Sequence, residues 1–390
     1  MLPLQGLRVL DLSRLLPGPY ASLVLADLGA DVVKVEDPKG GDYLRWIPPL
    51  AGEQSGAFHA LNRNKRSLAL DLKTPGGAEV LLRLARRADV LLESFRPGVL
   101  ERLGAGREAL RAANPRLVVC AVTGFGQDGP YRERAGHDLN YAAIAGALAL
   151  NGPAEQPWPL AVQAADLGGA WVAVAGILAA LVRRGATGQG GFVDASMTEA
   201  VLGMLTLQLG SAWARGSPLR RGEEGLTGGA AWYRTYRTSD GGFVALGALE
   251  PHFFRRFCEA IGRPELADRQ LDGGGRGPVE ELEALFASRT RADWVALGRD
   301  HDVCLTAVLE GAEPQDDPQL RARGVFGEVE TPWEGRALRA LRTPVRVDGA
   351  AVALRPAPRL GEHTLEVLAE CGFGEPEVRR LVAEGVVAAA

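Results

Sequence analysis

The first 122 residues alternate short apolar runs with helical segments at a regular pitch. This pattern constrains the fold more than any other feature of the 390-residue chain. Residues 7–12 (Leu-Arg-Val-Leu-Asp-Leu) read as a buried strand, residues 17–28 as a helix stopped at Gly29, and residues 31–35 as a second strand. Residues 67–70 are strand-like, residues 76–87 carry an amphipathic helical pattern, and residues 89–93 form another strand. A helix over 97–103 and a strand over 117–122 follow. Strands separated by helices are joined by crossovers, so the alternation predicts an α/β fold: a Rossmann-like parallel sheet with helices on both faces. No Gly-x-Gly-x-x-Gly follows the first strand. Leu16-Pro17-Gly18-Pro19 stands there instead, so a dinucleotide site of the usual kind is not indicated.

The later part of the chain reads differently. The apolar stretch 142–181 is interrupted by Asn151, Pro153, Glu155, Pro157 and Asp166, which suits buried helices of a large core and not a membrane span. Residues 216–229 are polar and Gly-rich and read as a linker. Two strands follow, 233–238 and 243–247, joined by the turn Ser239-Asp240-Gly241-Gly242. A Gly-rich loop at 271–275 precedes a helical run at 279–288. The expected organisation is a large domain over 1–215, completed by 328–390, and a smaller α+β domain over 225–327. His363, at a helix start, suits capping or packing.

Composition excludes several classes. A net charge of −4 gives no basic footprint for nucleic acid. The four cysteines (120, 258, 304 and 371) include no Cys-x-x-Cys; only His301 and Cys304 stand at a ligand-like spacing, so neither a zinc site nor a disulfide framework is expected. No basic stretch followed by an apolar run opens the sequence, and a soluble, cytoplasmic protein is expected. Three acid–base candidates remain. His137 stands beside Asp138 in Gly136-His137-Asp138-Leu139-Asn140-Tyr141, Asp166 opens a small-residue run, and Glu250 follows a strand-like stretch. Reactions that remove and return a proton need groups tuned towards neutrality, and a histidine with carboxylates supplies them. Each one alone also has a structural explanation, since an Asp before a helix is commonly a cap.

Longer motifs add a resemblance. Pro-Gly-Pro-Tyr at 17–20, Leu-Ala-Asp-Leu-Gly-Ala-Asp-Val-Val-Lys-Val-Glu at 25–36, Asn-Arg-Asn-Lys-Arg-Ser at 62–67, Phe-Arg-Pro-Gly-Val at 95–99, Thr-Gly-Phe-Gly-Gln at 123–127 and Gly-Glu-His-Thr at 361–364 run collinearly. The chain resembles the family III CoA transferases, a superfamily that also holds alpha-methylacyl-CoA racemase. The resemblance implies an interlocked homodimer acting on acyl-CoA, with CoA as part of the substrate and no separate cofactor or metal. In its transferases the residue matching Asp166 is a nucleophile; in the racemase it is an acid–base group. His137 and Glu250 match the racemase pattern, so the reading is inversion at the α-carbon of 2-methylacyl-CoA by 1,1-proton transfer, with CoA transfer as the alternative. A non-catalytic CoA-binding protein is the alternative of another class; it would have been expected to lose His137, Asp166 or Glu250. The same resemblance sets the CoA adenine and phosphates against Leu70, Asp71, Leu72 and Lys73, with Lys65, Arg66 and Arg96 as further phosphate candidates. The pantetheine is expected along Gly136, Asp138, Leu139, Asn140 and Tyr141. The 46–58 stretch is closer to the transferase branch, and Asp37 stands where the racemase often has an Arg for the CoA phosphates.

Overall fold

The structure is a computed structural model that describes residues 1–331, 336–350 and 352–390. The chain divides into two compact units, one formed by Met1–Ala145, Val162–Met204 and Pro318–Ala390, the other by Gly146–Ala161 and Leu205–Asp317.

The first unit is built on a sheet whose strands are β1 (Arg8–Asp11), β2 (Asp31–Glu36), β3 (Arg66–Leu70), β4 (Val90–Glu93), β5 (Val118–Thr123) and β6 (Gly191–Ser196). They lie in the order β3-β2-β1-β4-β5-β6, all parallel. Val387–Ala388 adds a short antiparallel edge strand beside β3. The α/β expectation therefore holds for this unit. Strand β6 is unforeseen: it begins on Gly191, carries the exposed Asp194 and is only half-buried over most of its length, so it lacks the apolar signature of a central strand. The expected helix over 97–103 shrinks to a single turn, Val99–Arg102, because Gly98 adopts φ 81° just before it.

Three helices position the site. They are α1 (Pro17–Asp27), α6 (Asp138–Ile144) and α7 (Ala164–Thr187), numbered with α2 (Gly56–Asn62), α3 (Pro75–Ala85), α4 (Val99–Arg102), α5 (Arg107–Ala113) and α8 (Met197–Met204). By length and composition α7 could cross a membrane, but its small-residue face packs on α1, β5, β6 and α8. That approach is close: a Cβ on Gly176 would come within 2.5 Å of Val193 Cγ1.

Charged side chains are buried beneath β1 and β2. Asp11 pairs with Lys65 (3.3 Å) and accepts hydrogen bonds from the hydroxyls of Ser13 and Ser22; Lys34 pairs with Asp42 (2.9 Å) and donates to the Ser13 carbonyl (3.0 Å). Arg45 forks onto Glu36 with bonds of 2.8 and 2.6 Å. Burial alone would raise the Asp11 carboxyl; the attraction of Lys65 and Lys34 and the hydroxyl donors outweigh it and hold the group at about 2. Its contribution to stability is thus present above the ordinary carboxylate range and lost as pH falls towards about 2.

The second unit has an antiparallel sheet of Tyr233–Arg237, Phe243–Gly247 and Leu305–Ala307, with Phe243–Gly247 in the centre. Its core stacks Phe286 between Tyr236 (4.4 Å) and Phe257 (5.7 Å), with Trp294 alongside. This unit starts earlier and ends earlier than the expected 225–327. Residues 216–229 belong to it and do not link it to the first, since Glu224 pairs with Arg215 (3.1 Å). Residues 326–331 pair with Arg336–Leu341 in the first unit. His363 takes a packing place: its backbone N–H donates to the Ser67 carbonyl (2.9 Å), and its Nδ1 accepts from the Ser67 N–H (3.3 Å).

Removing one member of a buried pair costs about 3–5 kcal/mol, because the other charge stays behind unpaired. Asp11→Ala should therefore lower unfolding stability by about that amount in urea titration, and the double variant Asp11→Ala with Lys65→Met should recover part of it. A double variant no more stable than Asp11→Ala would show that the two groups are not coupled.

Candidate active site

Parallel α/β sheets bind ligands outside the carboxyl ends of their strands, where the strand order reverses. Here the chain moves outward from β1 through β2 to β3, then returns to β4 on the other side of β1. A cavity of about 650 Å³ opens there. Arg14, Leu15 and Pro17 line it after β1, Ser94 to Pro97 after β4, and Gly124 and Phe125 after β5. His137, Asn140 and Tyr141 of the α6 region and Asp166 of α7 complete the wall. A larger cavity, about 780 Å³, lies against α5, α7 and β6; neither His137 nor Asp166 lines it. Convergent polar groups, and not size, single out the first cavity.

The buried charges shape one wall. Asp42 accepts the Leu15 N–H at 3.1 and 3.2 Å, holding Leu15 at φ 64°, a conformation that a branched side chain rarely adopts. Tyr141 shapes another. Its ring lies so close to the backbone that a Cβ on Gly124 would approach it to 2.3 Å and one on Gly136 to 2.7 Å. Its hydroxyl donates to the Gly136 carbonyl (2.5 Å), and Phe125 meets it edge-on at 5.1 Å. His137 is the exposed cap residue of α6; its backbone N–H donates to Asn140 Oδ1 (3.0 Å).

Asp166 sits in the first turn of α7. Burial, and then the negative charge of Asp138, push its carboxyl up to about 7. Asp138 itself accepts the Ala165 and Asp166 N–H groups at 2.7 and 3.1 Å. Tyr141 is also raised, by burial and by Asp166. Asp166 is thus a carboxyl group that exchanges its proton near neutrality, in the same cavity as an imidazole.

Positive charge enters from Arg14, Arg96, Arg132 and Arg134, all lining the cavity. Arg134 lies over the Tyr131 ring at 3.8 Å and Arg14 over Tyr43 at 5.4 Å. Only Arg96 among them was a sequence candidate. The available signal for Arg14 was its place just past a strand's carboxyl end; Arg132 and Arg134 stand in an irregular loop with no such marker. The other candidates for the CoA adenine and phosphates lie outside this cavity. Lys65 is enclosed: besides Asp11 it binds the Pro19 carbonyl and Asn62 Oδ1, both at 2.9 Å, and burial pushes it down to about 8. Arg66 is engaged by Asp31, Glu366 and Glu370. Leu70 is core, and Leu72 packs partly buried against it. Asp71 accepts the Lys73 N–H (2.9 Å), while Lys73 is exposed and 3.4 Å from Asp37. None of these six lines the cavity, and neither do Asp138 and Leu139. Glu250 belongs to the second unit, exposed at the start of the helix Pro251–Ala260. Among the described residues no group of three or more His, Cys, Asp or Glu could hold a metal ion.

An α/β protein whose switch-point cavity is lined by arginines, an imidazole and a carboxyl raised towards neutrality is the class that this fold and site define. The chain belongs to CoA-transferase family III, whose family model matches residues 4–364. It is 38% identical to the alpha-methylacyl-CoA racemase of Homo sapiens over 98% of this chain and 97% of that protein. It is also 35% identical to the succinate–glutarate CoA-transferase of Agrobacterium fabrum, over 94% of this chain and 95% of the relative. Among solved structures, a CAIB/BAIF family protein from Brucella suis superposes with a TM-score of 0.81 at 35% identity, covering 95% of this chain and 99% of that one.

The raised Asp166 carboxyl carries a stability signature. The folded state holds this proton more tightly than the unfolded chain, so the contribution is complete below the ordinary value of 3.8 and is lost as pH rises through about 7. Asp166→Asn should therefore gain stability relative to the parent at pH 8, on the order of 4 kcal/mol, and little at pH 4. Thermal unfolding at the two pH values checks this; an equal effect at both would contradict the raised value.

Proposed function

We propose that the protein inverts the α-carbon of 2-methylacyl-CoA thioesters by 1,1-proton transfer. The observation that carries this reading is the Asp166 carboxyl, brought to about 7 in a cavity that also receives His137. A base must match the operating pH to take a proton and give it back, and a carboxyl near neutrality does so where an ordinary one does not. His137 and Asp166 each serve one face of the α-carbon. Removing the proton leaves an enolate whose negative oxygen needs donors. The Ala165 and Asp166 N–H groups are already given to Asp138, so they do not take this task, and the positive charge of the cavity arginines answers the developing oxyanion. Arg14, Arg96, Arg132 and Arg134 receive the CoA phosphates. Glu250 of the partner subunit supports His137 in an interlocked homodimer. The protein acts in the cytoplasm, with CoA arriving as part of its substrate and no separate cofactor.

The similarity to a CoA-transferase supports a second reading, in which Asp166 attacks the thioester carbonyl, expels the CoA thiolate and forms an acyl anhydride. A chiral 2-methylacyl-CoA in deuterated water separates the two. Loss of optical activity with α-deuterium uptake, in the absence of any acceptor acid, is expected. A covalent adduct on the Asp166 peptide, trapped during turnover with a donor CoA and a free acid, would establish the transferase instead.

Two variants extend the test. His137→Ala should slow exchange from one enantiomer about 10²–10⁴-fold and from the other far less; equal small losses would refute a two-base site. Arg96→Gln should raise KM for acyl-CoA about tenfold, the equivalent of ~1.4 kcal/mol, with kcat within about twofold. An unchanged KM would remove Arg96 from the phosphate contacts.

A further inference from the structure

Asp138 stands one residue from His137, yet its carboxylate turns to α7 and not to the cavity. Its Oδ1 accepts the Ala165 N–H at 2.7 Å and the Asp166 N–H at 3.1 Å. The residue in the local cap position, Gln163, makes no side-chain cap bond, so the start of α7 is capped from a different helix, 28 positions earlier in the chain. A helix N-terminus leaves its first N–H groups unsatisfied and carries partial positive charge, and a carboxylate answers both needs. We propose that Asp138 is a positioning residue, whose carboxylate locks the first turn of α7 and keeps a fixed negative charge behind Asp166.

This inference rests on the reading of Asp166 as an acid–base group and deepens it. The resemblance would have Asp138 touch the pantetheine; the hydrogen bonds assign it to the protein instead. A bare helix N-terminus would favour ionised Asp166 and so weaken it as a base. With Asp138 on the same N–H groups, that positive end is cancelled, and burial then acts on Asp166 in full. The direction found for Asp166 agrees, with burial first and Asp138 second. The other charged or titratable groups around Asp166 are known. His137 and Tyr141 face the cavity from α6, Arg14 from the loop before α1, and Tyr43 from the wall beside Arg14. Arg96 follows β4, and Arg132 and Arg134 precede α6. From α8 the cavity receives Met197, while Glu199 of that helix does not line it. Besides burial, the charge that acts on the Asp166 carboxyl is that of Asp138.

The test uses the full-length protein with aspartate carboxyl carbons labelled with ¹³C, the Asp166 signal being identified by its loss in Asp166→Asn. Asp138→Asn keeps an acceptor oxygen for the cap and removes the charge. The Asp166 titration midpoint is expected to fall by about one pH unit, and the acidic limb of α-deuterium exchange to move with it, at unchanged KM. Asp138→Ala removes the cap as well, and should also speed hydrogen exchange at the Ala165 and Asp166 amides and lower kcat about tenfold or more. An Asp166 midpoint in Asp138→Asn within about 0.2 units of the parent would overturn the proposal. So would a raised KM with no movement of the limb, which would return Asp138 to the pantetheine. Should the parent protein exchange no α-proton at all, the proposed function fails, while the titration still decides the role of Asp138.

Discussion

The ion cluster beneath β1 and β2 is the constraint on which the cavity depends. Asp11, Lys34, Lys65, Asp42, Glu36 and Arg45 are all buried, and they balance as three positive and three negative groups. Taking such charges out of water is costly, and well-packed apolar residues often serve stability as well or better. What the cluster provides here is shape. Lys34 reaches the Ser13 carbonyl and Asp42 the Leu15 N–H, so the loop carrying Arg14, Leu15 and Pro17 is tied down at both ends of a strained turn. Asp42 also accepts the Leu44 N–H, which sets the turn bearing Tyr43. A greasy core could support the same sheet but would leave that loop without anchors.

On this frame, the chemistry depends on contrasts between carboxylates of the same unit. Asp11 is held strongly acidic by cations, Asp138 is committed to amide groups, and Asp166 is left to exchange its proton near neutrality. The residue type is the same; surroundings assign the work. Glu93 is raised as well, to about 8, by burial and by the nearby Glu101 and Asp194, but it faces a separate small cavity, where its carboxylate accepts the Phe95 N–H (2.6 Å).

Much of this was legible in the sequence because parallel strands are buried on both faces and read as continuous apolar runs. Strands β1, β2, β4 and β5 announce themselves in this way. Strand β6 does not, since an edge strand tolerates the exposed Asp194, and the two-residue strand at Val387 is too short to show any period. In the site, His137 and Asp166 stood out by their neighbours, whereas the carboxylates that engage Lys65 and Arg66 did not. Their partners, Asp11 and Glu370, are 54 and 304 positions away, a pairing that no local pattern reveals. Asp138 could be foreseen as a cap, though for its own helix and not for α7.

The edge of β3 has a history during synthesis. It pairs with β2 on one side, but on the other it meets Val387–Ala388, and the Ser67 backbone meets His363. Both partners leave the ribosome only after the whole second unit has been made. Until then the growing chain carries an open row of strand N–H and C=O groups, the feature through which sheets pair with the wrong neighbour. A nascent chain of this kind is most at risk of aggregation in the interval when its second unit is already complete but its last strand has not yet arrived.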